Sequence, residues 1–159
     1  MNCLKYKTMK TRYLLVALCL CCASMTFAQN KLFEKYAEMD NVTSVYISKA
    51  MFQMMPAIEQ AGVNLMNMKG KIESLQLVST DKKEMADQMR KDFTQLVTTQ
   101  HEELMRVRDG KTRVNFYSNK NGEQIKDLLM LIEDESEFTV IQLVGNFTLQ
   151  DIQGIADQY

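Results

Sequence analysis

One histidine limits the acid–base chemistry open to this chain of 159 residues. His101 adjoins Glu102 and Glu103, so these side chains offer either an acid–base pair or two ligands for a metal ion. A catalytic zinc site uses three protein ligands, often several histidines. The segment also lies where a predicted helix gives way to a strand, and polar residues are common in such connections. We therefore expect a solvated junction here rather than a metal centre.

A run of acidic residues between two predicted strands is a second candidate site. Its carboxylates belong to Glu133, Asp134, Glu135 and Glu137, and oxygen ligands of this kind suit calcium. The spacing, the glycine and the final glutamate of the EF-hand loop are missing, however. The simpler interpretation is the solvated tip of a β-hairpin.

Methionine is abundant, with ten residues after position 28. Three pairs have spacings that thioethers use to bind Cu(I): Met51 and Met54, Met66 and Met68, and Met85 and Met89. Most of these side chains fall on the apolar stripes of predicted helices, where flexible thioethers fill a core. Core packing is therefore the prediction, and we predict no cofactor. The alternative is a pliable apolar pocket for a lipid or for the amphipathic helix of a partner.

Four basic residues flank a predicted hairpin turn. Asp109-Gly110 separates two alternating runs, and both positions tolerate the positive φ that a two-residue loop needs. With those two residues as the loop, Val107 opposes Thr112, and one face of the hairpin is basic. This basic face consists of Arg106, Arg108, Lys111 and Arg113.

Like charges in opposed positions destabilise a strand pair, so the predicted pairing of Arg106 with Arg113 needs compensation. Acidic neighbours are one explanation, supplied by Glu102 or by the turn at residues 133–137. An anionic ligand is the other, such as a lipid phosphate, an acidic glycan or an acidic partner surface. The basic face is therefore our candidate anion-binding or partner-binding site.

The motifs of common enzymes are missing from the sequence. It contains no Gly-x-Ser-x-Gly and no phosphate-binding glycine loop. With one histidine and no cysteine after residue 28, an enzyme would depend on carboxylates, lysines, tyrosines and serines. The enzyme hypothesis is therefore disfavoured, and no catalytic residues are predicted.

The first 28 residues have the features of a secretory signal peptide. Lys10 and Arg12 precede the apolar run 13–23, and Thr26-Phe27-Ala28 supplies small residues three apart. The run is shorter than the roughly 20 residues that span a bilayer. We therefore expect export, with cleavage after Ala28. A lipidated cysteine is the less favoured alternative, because the cysteines of this segment follow leucine or another cysteine rather than a small residue.

The remaining residues, 29–159, suit one domain with a hydrophobic core. They contain no cysteine, so a disulfide cannot stabilise the domain. Their 15 basic and 20 acidic residues give a formal charge of −5, which argues against nucleic acid as the main partner. No second long apolar segment occurs, so no transmembrane span is expected after the signal.

Apolar periodicity predicts four helices and six strands in residues 29–159. The helices cover 32–39, 48–62 with a kink at Pro56, 80–100 and 148–155; Gly62 is expected to end the second helix, and Thr80 and Thr148 to cap the third and fourth. The strands cover 42–48, 72–78, the two arms around Asp109-Gly110, 125–132 and 138–144, and Gly145-Asn146 is expected to end the last of them. The segment Leu128–Ile132 is apolar without alternation, which is typical of a central strand covered on both faces. We predict an α+β fold with one mixed, mainly antiparallel sheet of about six strands and helices packed against it.

The C-terminal third of the chain resembles a known family. The pattern Leu129–Glu133, an acidic turn and then Phe138–Ile152 is similar to the domain-of-unknown-function 4252 (DUF4252) family of small exported proteins from Gram-negative cell envelopes. The resemblance extends through the order of elements over most of residues 30–157. Many members look like lipoproteins, and the poor lipidation motif here departs from them. The family has no established activity, so the resemblance implies no catalytic residues.

Together these features predict an exported protein of the periplasm or outer membrane that acts as a non-enzymatic binding or regulatory module. A carrier or sensor of a lipid-like or anionic ligand is the alternative. A carrier predicts a cavity bordered by Met51, Met55, Met85 or Met89. A partner-binding module predicts an exposed apolar patch or a free sheet edge. An enzyme requires a polar cleft with converging carboxylates.

Overall fold

The computed structural model describes residues 25–54, 59–60, 63–65, 68, 70–121 and 124–157. In chain order its elements are α1 (Met25–Ala37), β1 (Thr43–Ser48), α2 (Lys49–Met54), β2 (Glu59–Gln60), β3 (Val63–Asn64), β4 (Ile72–Thr80), α3 (Lys83–Gln100), β5 (Glu102–Asp109), β6 (Thr112–Asn121), β7 (Gln124–Glu133), β8 (Phe138–Phe147) and α4 (Leu149–Ala156). Residues 1–24 of the predicted signal peptide lie outside the described part of the chain. No helix among the described residues is both long and apolar enough to cross a membrane.

Six of the strands form one open sheet in the order β1-β4-β8-β7-β6-β5, and every neighbouring pair is antiparallel. The short strands β2 and β3 pair separately. The prediction of an α+β fold with a six-stranded sheet and packed helices is confirmed. Because the sheet is open, β1 and β5 each have one side without a neighbouring strand in the part of the chain that the structure describes.

The sheet is covered on both faces. On one face, buried residues of α1 and α3 pack against β4, β7 and β8. On the other, α2 and α4 join buried residues of every strand of the six-stranded sheet except β5, whose apolar residues are only partly buried there. Along β7, Leu129 and Leu131 face the first cluster, while Leu128, Met130 and Ile132 face the second. The prediction that this strand is central and covered on both faces is confirmed.

Helix α3 carries the predicted apolar stripe. Met89, Phe93, Leu96 and Val97 are buried, and Met85 packs against the same cluster at partial burial. The helix begins at Lys83, so the prediction that Thr80 caps it was wrong. Thr80 instead ends β4, where its hydroxyl donates to the Asn41 carbonyl at 2.7 Å.

Helix α2 differs from the prediction. The described helix has six residues and buries only Phe52, while Met51 and Met54 are 51% and 79% exposed. The predicted methionine stripe was therefore wrong for these two residues, because α2 packs on the sheet through its phenylalanine. The predicted positions Met55, Pro56, Ile58 and Gly62 lie outside the described residues, but the prediction of a helix as far as residue 62 was wrong, because Glu59–Gln60 form strand β2.

Helix α4 begins with the predicted cap at Thr148. The Thr148 hydroxyl accepts from the Asp151 backbone N–H, and the Asp151 carboxylate accepts from the Thr148 N–H, which completes a capping box. Lys71 donates to Asp151 at 2.6 Å. This ion pair and the capping bonds outweigh the desolvation that opposes them, and they hold the pKa of Asp151 below its usual value.

Strand β8 runs through the Gly145-Asn146 pair that was predicted to end it. A side chain at Gly145 would collide with the carbonyl oxygen of Lys71 and with the ring of Phe147. That carbonyl accepts from the Asn146 N–H at 2.9 Å, so the two segments are held close together. The glycine is therefore needed for a close approach of backbones rather than for a turn.

We expect Gly145→Ala to lower the free energy of unfolding by about 1–3 kcal/mol, because the added methyl group forces backbone apart. Gly154→Ala is the matched control, since nothing lies within 4 Å of a Cβ there and alanine favours a helix. Urea denaturation measures both variants. Equal effects of the two substitutions would contradict the close-approach explanation.

Candidate functional site

The two edges of the sheet differ in how they are protected against pairing with another strand. Five of the eight residues of β5 are charged, and its register with β6 is broken between Glu103 and Met105. Charges and bulges are the usual means by which proteins block a sheet edge. Strand β1, with the sequence Thr-Ser-Val-Tyr-Ile-Ser, has no charge and no break in its register with β4. Edge β1 is therefore open to a further strand, whereas edge β5 is protected.

Exposed apolar side chains gather at the open edge. Among the described residues, four large apolar side chains are exposed, and three of them are Tyr46 on β1 and Met51 and Met54 on α2. Helix α2 follows β1 directly and lies against β1 and β4. The open edge therefore provides the free strand expected of a partner-binding module, with Tyr46 on the face covered by α1 and the two α2 methionines on the side of the opposite face.

A groove of about 230 Å³ lies between α1 and the β1–β4 edge. Its walls include Phe33, Glu34 and Ala37 of α1, and Ser44, Tyr46, Gln76 and Val78 of the sheet. Gln76 Oε1 is buried and accepts no hydrogen bond from the described residues. Such an acceptor normally has a partner, because an unmet buried polar atom costs about 1–3 kcal/mol.

Contacts with α3 hold the α1 wall of this groove in place. Phe33 and Tyr36 are buried, and their rings lie 5.1 and 5.6 Å from that of Phe93. Asp92 accepts from the Lys35 ammonium and from the Tyr36 hydroxyl, both at 2.8 Å. Burial, then the hydrogen bond to Asp92, raise the pKa of Tyr36, while Lys35 lowers the pKa of Asp92.

The His101 side chain is inaccessible to solvent, so the expectation of a solvated junction was wrong for this residue. Its Nε2 lies 3.1 Å from Asp127 Oδ2, and Asp127 Oδ1 accepts from Gln142 at 3.0 Å. These partners on β7 and β8 allow the imidazole to be buried at the end of α3. Glu103 does not converge on it, because its carboxylate pairs with Arg106. The described residues contain no group of three or more side chains suited to a metal ion.

Polar residues continue from His101 across the sheet to the groove. Gln142 on β8 lies directly opposite Gln76 on β4, which lies opposite Tyr46 on β1. Opposed residues of paired strands share a face. The face covered by α1 and α3 therefore carries a polar row that ends at the open edge.

The basic face forms with the predicted members but with another register. The loop is Gly110-Lys111, with φ of +56° at Gly110, so Arg108 opposes Arg113 and Arg106 opposes Asn115. The predicted opposition of Arg106 and Arg113 was therefore wrong. A shift of two positions along the partner strand keeps Arg106, Arg108 and Arg113 on one face, while Lys111 moves from the strand into the loop.

Acidic neighbours lie close to three of the four positive charges of the basic face. Arg106 pairs with Glu103 at 2.9 Å, Lys111 pairs with Glu135, and Arg113 lies 3.9 Å from Glu133. Within the part of the chain that the structure describes, no acidic side chain lies at ion-pairing distance from Arg108. The structure thus supplies the acidic neighbours of the first explanation and leaves Arg108 opposite another arginine.

The acidic turn borders a second cavity, of about 500 Å³, between the start of α3 and the β7–β8 turn. Asp134, Glu135 and Glu137 are exposed, as expected of a hairpin tip. Arg90 crosses this cavity, pairing with Asp87 at 2.6 Å and Glu133 at 2.9 Å. These carboxylates and the desolvation that opposes them leave the pKa of Arg90 above its usual value. The lining carries more acidic than basic side chains, since Asp81, Asp87, Asp134, Glu135 and Glu137 accompany Lys83 and Arg90, so the cavity keeps a negative formal charge.

Methionine does not line either of these two cavities. Met89 and Met68 are buried in the two core clusters, on opposite faces of the sheet. Met51 and Met54 are exposed, and Met55 and Met66 lie outside the described residues. The methionine-lined cavity that a lipid carrier predicts is not formed by the cavities described here.

Comparison with known proteins gives one match. A family model described as a domain of unknown function (DUF4252) matches residues 36–155. The chain belongs to the DUF4252 family. No curated protein and no solved structure matches it.

The DUF4252 match includes β1, the basic face and Gln76, and it begins after Phe33 and Glu34 of α1. The sheet side of the groove therefore falls inside the family region, while most of the α1 wall precedes it. Sequence reasoning did not single out Gln76 or the open edge. The available signals were a glutamine within an apolar strand and the contrast in charge between β1 and β5.

Because Lys35 holds the pKa of Asp92 low, Asp92 stabilises the folded state above its unfolded pKa, about 3.9. This contribution is lost as the pH falls through the lower folded pKa. We expect Asp92→Asn to cost roughly 1–2 kcal/mol at pH 7 and much less at pH 2. Urea denaturation across this range measures the difference.

The control for Asp92→Asn is Asp81→Asn, which removes an exposed carboxylate paired with its neighbour Lys82. We expect that substitution to change the free energy of unfolding by less than about 1 kcal/mol at any pH. A deficit in Asp92→Asn that stayed constant from pH 7 to pH 2 would contradict the assigned direction of the shift.

Proposed function

We propose that this DUF4252 protein is an exported protein of the bacterial cell envelope that acts as a non-enzymatic binding or regulatory module. Its binding element is the open edge at β1. The contrast between the two edges carries this proposal, because β5 is charged and bulged while β1 is uncharged and regular. A strand from a partner would complete the backbone hydrogen bonds of β1, the mode known as β-augmentation.

The N-terminal sequence supports export. A basic start, a short apolar run and small residues before Gln29 are the three regions of a cleaved signal. We propose a periplasmic or outer-membrane-associated location for the mature chain, without a lipid anchor. In such a compartment, a domain without cysteines is stabilised by its two buried clusters rather than by disulfides.

The side chains that could act as acids or bases are either enclosed by protein or engaged in ion pairs, which favours a binding function over catalysis. A general base must reach the proton that it removes, and the His101 side chain is enclosed by protein. Glu133 and Glu135 are engaged in ion pairs with the basic face.

A photo-crosslinking amino acid in place of Tyr46 tests the edge proposal in the native bacterium. We expect a discrete adduct with an envelope protein, and a mature chain whose mass begins at Gln29. The same amino acid in place of Arg106 on the protected edge is the control and should give no adduct. Ser44→Lys, which places a charge on β1, should remove the Tyr46 adduct without lowering the melting temperature.

Equal adducts from positions 46 and 106, or no adduct from position 46, would contradict the proposal that a partner binds at the β1 edge. Recovery of the protein in the cytoplasmic fraction with its first 28 residues intact would overturn export.

A second candidate function is binding of an anionic ligand at the basic face. The observation that favours it is Arg108, which faces Arg113 and has no acidic partner among the described residues. A phosphate group would supply the acceptor that the Arg108 guanidinium lacks.

Vesicles of phosphatidylglycerol and phosphatidylcholine are the probe for this second candidate. We expect Arg108→Glu with Arg113→Glu to abolish binding in a sedimentation assay, because two cations are replaced by anions. Lys91→Glu on exposed α3 is the matched control and should reduce binding only slightly. Absence of wild-type binding, or equal losses in both variants, would exclude the basic face as an anion site.

A further inference from the structure

We propose that the groove between α1 and the β1–β4 edge receives an arginine or lysine side chain from the partner strand that pairs with β1. This inference rests on the proposed function, and it adds the chemistry by which the partner is selected. Three observations support the inference: the acceptors in the groove, its apolar walls, and its distance from a partner strand paired with β1.

Three side chains that line the groove offer a hydrogen-bond acceptor or attract a cation. Gln76 Oε1 is buried without a donor, and the carboxylate of Glu34 forms no ion pair within the described residues. The ring of Tyr46, 66% exposed, lies beside them and can attract a cation. A cationic donor satisfies all three groups, whereas an acyl chain would leave the buried oxygen without a partner.

The walls of the groove suit the stem of a basic side chain. Phe33, Ala37 and Val78 supply apolar surface along it. Lysine and arginine place their methylene groups against such surface while their charged ends reach polar partners. The volume of about 230 Å³ fits a side chain better than a drug-sized ligand, whose pockets measure roughly 300–1,000 Å³.

Distance favours a long side chain. Neighbouring strands lie about 4.8 Å apart, so a strand added to β1 would lie roughly 10 Å from Gln76 on β4. A side chain opposite Ser44 points to the same face as that serine, which lines the groove and is small enough to leave a path over β1. Arginine and lysine span most of this distance, and shorter donors such as serine or asparagine do not.

The need for a basic residue favours a different protein over a second copy of this chain as the partner. If two copies paired through their β1 strands, each would present Thr43–Ser48, a segment without a basic residue, to the groove of the other. The Glu34 carboxylate and the Gln76 oxygen would then stay without cationic partners. We therefore assign the groove to an extended segment of another protein that carries a basic residue.

Three labelled peptides of twelve residues test the inference by fluorescence anisotropy. Each alternates valine and threonine and carries one central residue: arginine, citrulline as its neutral isostere, or norleucine as an apolar stem. We expect the arginine peptide to bind at least tenfold more tightly than the norleucine peptide, with citrulline between them. Glu34→Gln and Gln76→Leu should each reduce this ratio, and together they should bring it close to one.

Glu38→Gln is the matched control, because Glu38 is an exposed carboxylate of the same region that does not line the groove. It should leave the ratio unchanged. The variants Glu34→Gln and Gln76→Leu should still bind the norleucine peptide with wild-type affinity, which shows that the edge remains intact.

The outcomes separate this inference from the proposed function. Equal affinity for the arginine and norleucine peptides would overturn the inference and leave pairing at β1 standing. Binding of none of the peptides would also overturn it, and the crosslink from Tyr46 would then decide separately whether β1 is used. Sedimentation that shows a dimer, converted to a monomer by Ser44→Lys, would place a second copy on β1 and overturn the inference.

Discussion

Burial of β7 and β8 on both faces is the constraint on which the rest of the structure depends. Both strands carry apolar side chains on both faces of the sheet, so helices are needed to cover each face. Helices α1 and α3 cover one face, and α2 and α4 cover the other. The two strands farthest from this centre, β1 and β5, are left with one unpaired side each, and their sequences determine how accessible those sides are.

The two edges show how one fold can separate protection from binding. Strand β5 carries five charged residues, of which Arg106 and Glu103 pair with each other, and its register with β6 is broken, so this edge resists pairing. At β1 the backbone is unprotected, and helix α1 adds a wall that turns a flat edge into a groove. The aromatic contacts of Phe33 and Tyr36 with Phe93 set the position of that wall. A core contact between two helices thus shapes the candidate binding surface.

Much of the fold could be predicted because its signals are local. The stripe of α3, the cap at Thr148 and the continuous apolar run of β7 each express a period or a turn chemistry within a few residues. Among the predictions that were wrong, two show where a local pattern did not decide the structure. The hairpin loop moved to Gly110-Lys111 because pairing along the whole of β5 and β6 selects the register. Helix α2 turned Phe52 inward because the sheet beneath it accommodates one large side chain.

The sequence by itself determined the α+β class, the six strands, the two-sided burial of β7 and the members of the basic face, because each depends on side-chain periodicity along one segment. Only the tertiary structure decided that β1 lies at an open edge, that His101 is buried beside Asp127, and that Glu34 and Gln76 line one groove. Strand order and the approach of α1 to β1 join residues some 40 positions apart. Pairings of that range depend on the packing of the whole sheet, which no local pattern encodes.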